Sequence, residues 1–256
     1  MELALVSPYL PSGRIKKAVL SGDASSEIIA SLADYGIEII KTEKHPVLPN
    51  GLAKHADMQM VNVCRGVFVY APDTPENTLS SLKAIGYELI EGATRLKSRY
   101  PFDVAYNCAI VGKNAFCNPR YTDPTVLSML DKCGIRIFPV KQGYAKCSTC
   151  IISEEAIITA DSKIHEKALV AGLDSLLIRP QDSIILDGYD YGFIGGATGL
   201  ISENELAFFG DFITLNDNII IGEFLNKHGI KPISLAKGNL VDLGGLFPLC
   251  ASYNGQ

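Results

Sequence analysis

Ionisable and nucleophilic side chains gather in five short segments of this chain, between runs that are otherwise apolar. These polar segments, numbered first to fifth in chain order, are residues 54–59, 101–107, 144–150, 193–199 and 239–245. They contain His55, Asp57, Asp103, Asn107, Lys146, Cys147, Thr198 and Asp242. Placing such groups among apolar strands costs stability unless they are paired or serve a site. We therefore expect these segments to form a binding or catalytic site.

Simpler interpretations of these residues remain open. Cys147 and Cys150 form a Cys-x-x-Cys, which suits a redox pair or half of a zinc site, but the chain has no second Cys-x-x-Cys. The spacing places Cys150 on the apolar strand that follows, where a buried packing role is expected. His55 can be an ordinary loop histidine. The remaining polar residues can cap turns or bond the backbone; they are Asp103, Asn107, Thr198 and Asp242.

A repeated sequence motif indicates how these segments are positioned. A helical leucine, then a glycine, then alternating apolar residues recur five times, at a period of roughly 40–55 residues. The copies begin at Leu32, Leu82, Leu130, Leu169 and Leu225. The glycine predicts a left-handed helix cap, and the alternation predicts a strand that leaves the cap.

A predicted hairpin precedes most of these helices. Returning strands are expected at residues 18–21, 67–70, 115–117, 156–159 and 206–209, and entering strands at 60–63, 108–111, 150–152 and 199–201. The repeating unit is therefore strand, turn, strand, helix, strand. The first unit lacks its entering strand, and an orphan strand at 245–250 ends the chain.

Pairing of the orphan strand with residues 18–21 would close the five units into a ring and remove a free hydrophobic edge. We therefore predict an α/β fold, a five-repeat pseudo-symmetric α/β propeller that forms one domain over residues 1–256. In such a ring the five polar segments cross near the pseudo-symmetry axis. The alternative is an ordinary α/β sheet in which the cap glycines coincide by chance.

The composition and net charge argue against some classes of binding partner. Hydrophobic residues make up 47% of the 256 residues and the net charge is −5 without a basic cluster, so neither nucleic acid nor a membrane is expected as a partner. The N-terminus has no signal-peptide pattern. Seven cysteines without a dense disulfide framework are typical of reduced thiols, and we expect a cytoplasmic protein.

The order of elements and the five-unit count resemble the pentein fold, a five-bladed α/β propeller. This fold is shared by guanidino-group-modifying enzymes, including arginine deiminase, agmatine deiminase, dimethylarginine dimethylaminohydrolase and glycine amidinotransferase. A non-enzymatic branch contains the archaeal and eukaryotic translation initiation factor six. The resemblance covers essentially the whole chain.

The resemblance implies a chemistry. Pentein enzymes use a cysteine thiolate near the C-terminus to attack the guanidinium carbon, a histidine as general acid and base, and carboxylates that clamp the guanidinium nitrogens. The run His55-Ala-Asp57-Met resembles their His-x-Asp motif. Asp242-Leu-Gly-Gly245 followed by Cys250 resembles their approach to the catalytic cysteine.

The sequence departs from the enzymes' pattern in two places. Their histidine comes from the middle of the chain, whereas His55 lies in the first polar segment and the third offers Lys146 and Cys147 instead. The gap from Gly245 to Cys250 is also longer than in the enzymes. The standard set of catalytic residues of these enzymes, with Cys250 as its cysteine, is therefore not intact in this sequence.

A rearranged set of residues is physically reasonable, because segments that converge on one axis can bring the third against the first. Cys147 is then the candidate nucleophile and His55 the base, with Asp57 as its orienting partner or a clamp. Asp103 or Asp242 would supply another clamp. Lys146 would lower the thiol pKa or bind an anionic group, and Asn107 and Thr198 would complete the substrate site.

These observations predict a polar site that binds a small molecule, specifically a guanidinium, an amidine or a related amino-acid derivative. Cysteine-dependent hydrolase or amidinotransferase chemistry follows if the thiol is active. We expect neither a metal nor another cofactor. The alternative is a catalytically inert binding or interaction protein on the same fold.

Overall fold

Short strands and short helices alternate along the computed structural model, which describes residues 3–4 and 7–251. The helices are α1 (Ser26–Asp34), α2 (Ala56–Gln59), α3 (Glu76–Ala84), α4 (Pro124–Lys132), α5 (Ser162–Val170) and α6 (Asn218–Lys227). The strands are β1 (Leu3–Ala4), β2 (Ile15–Ser21), β3 (Glu38–Thr42), β4 (Met60–Cys64), β5 (Val67–Tyr70), β6 (Glu88–Glu91), β7 (Ala109–Val111), β8 (Asn114–Cys117), β9 (Arg136–Pro139), β10 (Thr149–Ile151), β11 (Ala156–Thr159), β12 (Asp174–Leu177), β13 (Ile184–Ile185), β14 (Thr198–Ser202), β15 (Glu205–Phe208), β16 (Lys231–Ser234), β17 (Leu240–Val241) and β18 (Phe247–Ala251).

Four three-stranded sheets share one topology. Their orders are β4-β5-β6, β7-β8-β9, β10-β11-β12 and β14-β15-β16. In each sheet the first two strands pair antiparallel and the last two pair parallel, with a helix in the connection between the parallel strands. This is the strand, turn, strand, helix, strand unit expected from the sequence.

A further sheet draws on both ends of the chain. Its order is β1-β18-β2-β3, and β18 pairs antiparallel with β2, so that Phe247 lies opposite Val19 and Pro248 opposite Ala18. The orphan strand therefore pairs where the sequence analysis placed it. A small parallel pair, β13 with β17, was not expected from the sequence.

The glycines of the repeated sequence motif end the helices in a left-handed conformation. Gly36, Gly86, Gly134, Gly172 and Gly229 have φ of 74°, 92°, 66°, 85° and 69°. A Cβ added at any of them would meet no heavy atom within 4 Å. Glycine is therefore favoured here by the positive φ and not by crowding. The start of several helices is fixed by side-chain caps, as where Asp161 accepts backbone N–H bonds from Lys163 and Ile164.

Apolar faces of the helices pack on strands that are buried on both sides. All four residues of β11 and all three of β7 are buried. Helix α4 contacts β4 and β9 and buries Val126 and Leu130, one turn apart. Each such aliphatic side chain contributes about 1.5–3 kcal/mol. The described residues thus form a mixed α/β fold of small sheets, and no helix among them is long and apolar enough to cross a membrane.

Candidate functional site

The first and third polar segments meet at a buried thiol and carboxyl. Asp57 lies in the short helix α2, and Cys147 lies just before β10. The Cys147 Sγ donates a hydrogen bond of 2.9 Å to Asp57 Oδ2, while Asp57 Oδ1 has no hydrogen-bond partner. Cys147 is 2% exposed and Asp57 1% exposed. A thiol and a carboxyl are therefore held in contact away from bulk water.

Asn107 of the second segment ties these two groups together. Its Oδ1 accepts the backbone N–H groups of Lys146 and Cys147 at 2.7 and 3.3 Å. Its Nδ2 lies 3.1 Å from the Cys147 Sγ and 3.2 Å from the carbonyl oxygen of Asp57. One amide therefore fixes the backbone that carries the thiol and also contacts the sulfur.

His55 and Asp242 join the first segment to the fifth. The His55 Nδ1 lies 3.8 Å from Asp242 Oδ1 and has no hydrogen-bond partner. Asp242 is held by the backbone N–H of Phe193 on Oδ2 at 2.8 Å and by that of Gly244 on Oδ1 at 3.0 Å. The imidazole and the carboxyl are therefore close neighbours that are not hydrogen-bonded to each other.

The fourth segment completes the convergence. The Gly196 N–H donates to the carbonyl of Cys147 at 3.0 Å, and the carbonyl of Gly196 accepts the N–H of Leu243 at 2.9 Å. A Cβ at Gly196 would lie 1.9 Å from Asp242 Oδ1, so only glycine leaves room for that carboxyl. All five polar segments are thus linked by contacts.

Burial dominates the electrostatics of the site. It raises the pKa of the Cys147 thiol well above its usual value, and the nearby carboxyls of Asp57 and Asp242 raise this pKa further. Burial also raises the pKa of Asp57, against the opposing effects of Lys146 and His55. Without a ligand, the thiol is therefore held in its protonated form.

Lys146 points away from the thiol of its neighbour. Its Nζ donates to the carbonyl of Gly195 at 3.2 Å and lies 5.5 Å from the ring of Tyr9 and 5.8 Å from that of Phe247. Lys146 restrains the rise in the pKa of Asp57 and also that of Cys150. Its charge thus acts chiefly on the buried carboxyl rather than as the expected activator of Cys147.

Two other predicted residues lie at the margin of the cluster. Asp103 is 1% exposed and accepts the Tyr144 hydroxyl on Oδ2 at 2.7 Å, while its Oδ1 has no partner. The Thr198 hydroxyl donates to the carbonyl of Ile194 at 2.8 Å and lies 3.2 Å from Cys150 Sγ. Thr198 therefore already uses its hydroxyl within the protein.

Cys250 occupies a different position from Cys147. It lies in β18, opposite Lys17 of β2, and adds to the rise that burial causes in the pKa of the Tyr87 phenol. The carbonyl of the preceding Leu249 accepts the hydroxyl of the same tyrosine. The contacts seen for Cys250 are therefore those of the terminal strand, and those of Cys147 belong to the polar cluster.

The Cys-x-x-Cys is neither a disulfide nor a recognisable metal site. Cys147 and Cys150 are both free, with one thiol on Asp57 and the other against Thr198. Among residues 7–251, no group of three or more His, Cys, Asp or Glu side chains is placed to hold a metal ion. Cys150 is 1% exposed in β10, in the packing position expected from its spacing.

Two cavities reach the cluster. One of about 210 Å³ is lined by Cys147 and Asp242 together with Tyr144, Tyr189, Asp190 and Phe193. The other, of about 330 Å³, is lined by His55, Asp242 and Lys54. The sequence analysis did not include Tyr189 or Asp190. Their signal is the run Asp187-Gly-Tyr-Asp-Tyr-Gly-Phe193, in which acidic and aromatic residues alternate with glycine outside any predicted strand.

The architecture is shared with several solved structures. An inosamine-phosphate amidinotransferase from Streptomyces griseus matches with a TM-score of 0.59 at 10% identity, covering 99% of this chain and 98% of that one. An amidinotransferase of the saxitoxin pathway from Microseira wollei matches at 0.55 and 10% identity, over 90% and 92%. An agmatine deiminase from C. jejuni matches at 0.52 and 11% identity, over 90% of each chain.

These likenesses define the class: the chain has the fold of the pentein superfamily, as the resemblance in sequence pattern implied. A family model matches residues 19–247, so the chain belongs to the family described as a family of unknown function, DUF6873. No curated protein matches the chain.

Proposed function

We propose that this protein is a guanidino-group-modifying enzyme in which Cys147 is the nucleophile. The observation that carries the proposal is the buried contact of the Cys147 thiol with Asp57, at a cavity shared with Asp242. A soft nucleophile between carboxyls suits an electrophile that is itself a cation. The structural neighbours described as amidinotransferases and an agmatine deiminase support the same class of chemistry.

The carboxyls provide the clamp in this proposal. Asp57 Oδ1 is buried without a partner, and a guanidinium N–H would satisfy it. Asp242 is fixed by two backbone N–H groups, so it can hold a second guanidinium nitrogen without moving. A planar cation held on two sides would present its central carbon to the sulfur.

The proposed reaction uses His55 twice. The bound cation would replace the hydrogen bond of the Cys147 thiol to Asp57, and the thiol would then pass its proton to the imidazole and add to the guanidinium carbon, forming a carbon–sulfur bond. The tetrahedral adduct collapses as a carbon–nitrogen bond breaks, and the departing amine takes the proton from His55. The amidino group then remains on sulfur. Water releases it as a urea or ureido product in a hydrolase, and an acceptor amine takes it in an amidinotransferase, with the thiol restored in both cases.

Substrate binding would itself activate the thiol. The pKa of Cys147 is high because of burial and two nearby carboxyls. A bound guanidinium would place positive charge beside both, which favours the thiolate. The enzyme would then expose a reactive sulfur only when the cation is present.

The proposed architecture around this site is the five-bladed propeller, with residues 1–256 as one domain and the site on its axis. The common topology of the sheets, the pairing of β18 with β2 and the contacts among all five polar segments support it. The proposed location is cytoplasmic, which the unbridged thiols of Cys64, Cys108, Cys117, Cys133, Cys147 and Cys150 support.

A second candidate is an inert protein that binds a guanidino compound without reacting. The protonated, hydrogen-bonded state of the buried thiol favours it, since such a thiol is a poor nucleophile.

Labelling with a haloacetamidine, whose amidinium mimics the guanidinium head, distinguishes the two candidates. We expect selective labelling of Cys147 that an added alkylguanidine prevents, loss of labelling in Cys147→Ser, and retention in Cys250→Ser. Slow, unprotected labelling of several cysteines would contradict enzyme chemistry. His55→Asn should abolish turnover while the protein stays folded by thermal melting.

A further inference from the structure

A third cavity lies next to the candidate site and contains an unsatisfied polar group. It measures about 110 Å³ and is lined by Ser148, Asp161, Gln181, Tyr191 and Phe193, among others. Ser148 is 3% exposed, and its Oγ is buried without a hydrogen-bond partner. A buried hydroxyl without a partner is costly, and such groups are normally satisfied. A ligand group in this cavity would satisfy it.

The third cavity adjoins the cavity at Cys147. Tyr191 and Phe193 line both, and their rings lie 6.0 Å apart at 75°. Ser148 follows Cys147 directly in the chain, so one backbone segment reaches both spaces. A ligand with its guanidinium at Cys147 can therefore extend past these two rings towards Ser148.

The charged residues that line the two cavities limit which charged groups the ligand can carry. Asp190 and Asp242 line the space at Cys147, and Asp161 lines the space at Ser148. Among the described residues that line the two spaces, neither lysine nor arginine occurs. A carboxylate in either space would lose its hydration without gaining a cationic partner. An ammonium group would meet carboxyls, a hydroxyl and two aromatic faces.

Most of the other polar groups that line the third cavity already have hydrogen-bond partners within the protein. Gln181 donates to the carbonyl of Arg179 and to Asp217, and accepts the N–H of Asp217. Asp161 Oδ1 accepts two backbone N–H groups as the cap of α5, whereas Oδ2 accepts only Gln142 Nε2, at 3.2 Å. Asp161 Oδ2 and Ser148 Oγ therefore retain lone pairs for a donor.

We propose that Ser148 and Asp161 form a second subsite that binds an ammonium group of the substrate, which would be an ω-guanidino amine without a carboxylate. This inference rests on the proposed function, because it places the guanidinium end at Cys147. The competing arrangement puts a substrate carboxylate in the 330 Å³ cavity beside Lys44 and Lys54.

Three ligands with the same four-carbon chain test the subsite. Calorimetry would compare 4-guanidinobutylamine, butylguanidine and 4-guanidinobutanoate with the full chain. We expect the amine to bind about tenfold more tightly than butylguanidine, as one charge-assisted hydrogen bond provides. The carboxylate should bind more weakly than butylguanidine.

Variants assign the preference to the subsite. In Asp161→Asn, which keeps a good helix cap, the preference for the amine should fall about tenfold and disappear. In Ser148→Ala it should fall severalfold, without loss of thermal stability. Glu166→Gln removes an equal charge from the exposed face of the same helix, where Glu166 pairs with Lys163, and should retain the full preference.

The outcomes separate this inference from the function on which it rests. If the three ligands bind equally well, if the carboxylate binds best, or if Asp161→Asn keeps the preference, the subsite is wrong and the guanidinium site stands. If none of the three binds, both the subsite and the proposed function fall.

Discussion

The Cys147 thiol donates a 2.9 Å hydrogen bond to the Asp57 carboxyl, and both groups are buried. Each has its pKa raised by burial, and the Asp57 charge adds to the rise at Cys147. The titrations of the Cys147 thiol and the Asp57 carboxyl are therefore coupled. A cation that binds between Asp57 and Asp242 lowers the pKa of both the thiol and the Asp57 carboxyl. This coupling leads to predictions about ligand binding and about stability.

Binding of a guanidinium should release protons. A bound cation lowers the pKa of both groups, so the complex holds fewer protons than the free protein wherever the pH lies between the free and bound values. Affinity for butylguanidine should consequently rise with pH. Calorimetry in buffers of different ionisation enthalpy measures the released protons directly. Affinity that is independent of pH, with no proton release, would place the cation elsewhere.

Asp57 should cost stability at neutral pH. Because its pKa is raised on folding, its contribution is most favourable below the unfolded value near 3.8 and is lost as the pH rises through the folded value. Asp57→Asn removes this loss. The melting temperature of the variant relative to the wild type should therefore increase from acid to neutral pH. Glu166→Gln, on an exposed carboxyl, should show no such trend.

Much of the fold could be predicted from sequence because its signals are local. A glycine cap such as Gly86 marks where a helix ends, and the alternation of apolar residues that follows predicts a strand. Each repeating unit can therefore be predicted from its own residues. The pairing of β18 with β2 followed from counting strands that lacked partners. The β13–β17 pair, only two residues a strand, gave no such signal.

The positions of some polar residues could be predicted for the same reason, while their roles in a site stay predictions. Asp57, Asn107 and Cys147 stand out in the sequence as polar residues between apolar strands, and the structure brings them into contact. The direction of the Lys146 amine depends on the rings of Tyr9 and Phe247, which are far away in sequence, so its turn away from Cys147 could not be predicted. The unsatisfied state of Ser148 likewise depends on tertiary packing.

Gly196 should be essential for the position of the Asp242 carboxyl. A Cβ at Gly196 would lie 1.9 Å from Asp242 Oδ1, so Gly196→Ala must displace that carboxyl. We expect binding of butylguanidine to weaken by about tenfold or more, as loss of one charged hydrogen bond implies. Gly222→Ala is the matched control, since its added Cβ meets Phe212 at an ordinary 3.7 Å. Equal binding by the two variants would remove Asp242 from the clamp.

The Tyr144 hydroxyl should stabilise the ionised form of the buried Asp103 carboxyl. Burial raises the pKa of Asp103, and the 2.7 Å hydrogen bond from Tyr144 opposes this rise. Tyr144→Phe removes this hydrogen bond from a buried carboxyl and should cost about 1–3 kcal/mol of unfolding free energy at neutral pH. The cost should shrink as the pH falls, because the variant's higher pKa lets Asp103 protonate earlier.

Chemical denaturation at several pH values measures this cost. Tyr121→Phe, at a half-buried tyrosine whose ring lies 6.2 Å from that of Phe102, is the control and should change stability little. In an Asp103→Asn background the loss caused by Tyr144→Phe should be smaller and nearly independent of pH, because the charge it serves is gone. An equal, pH-independent loss in both backgrounds would mean that Tyr144 stabilises the protein through packing of its ring.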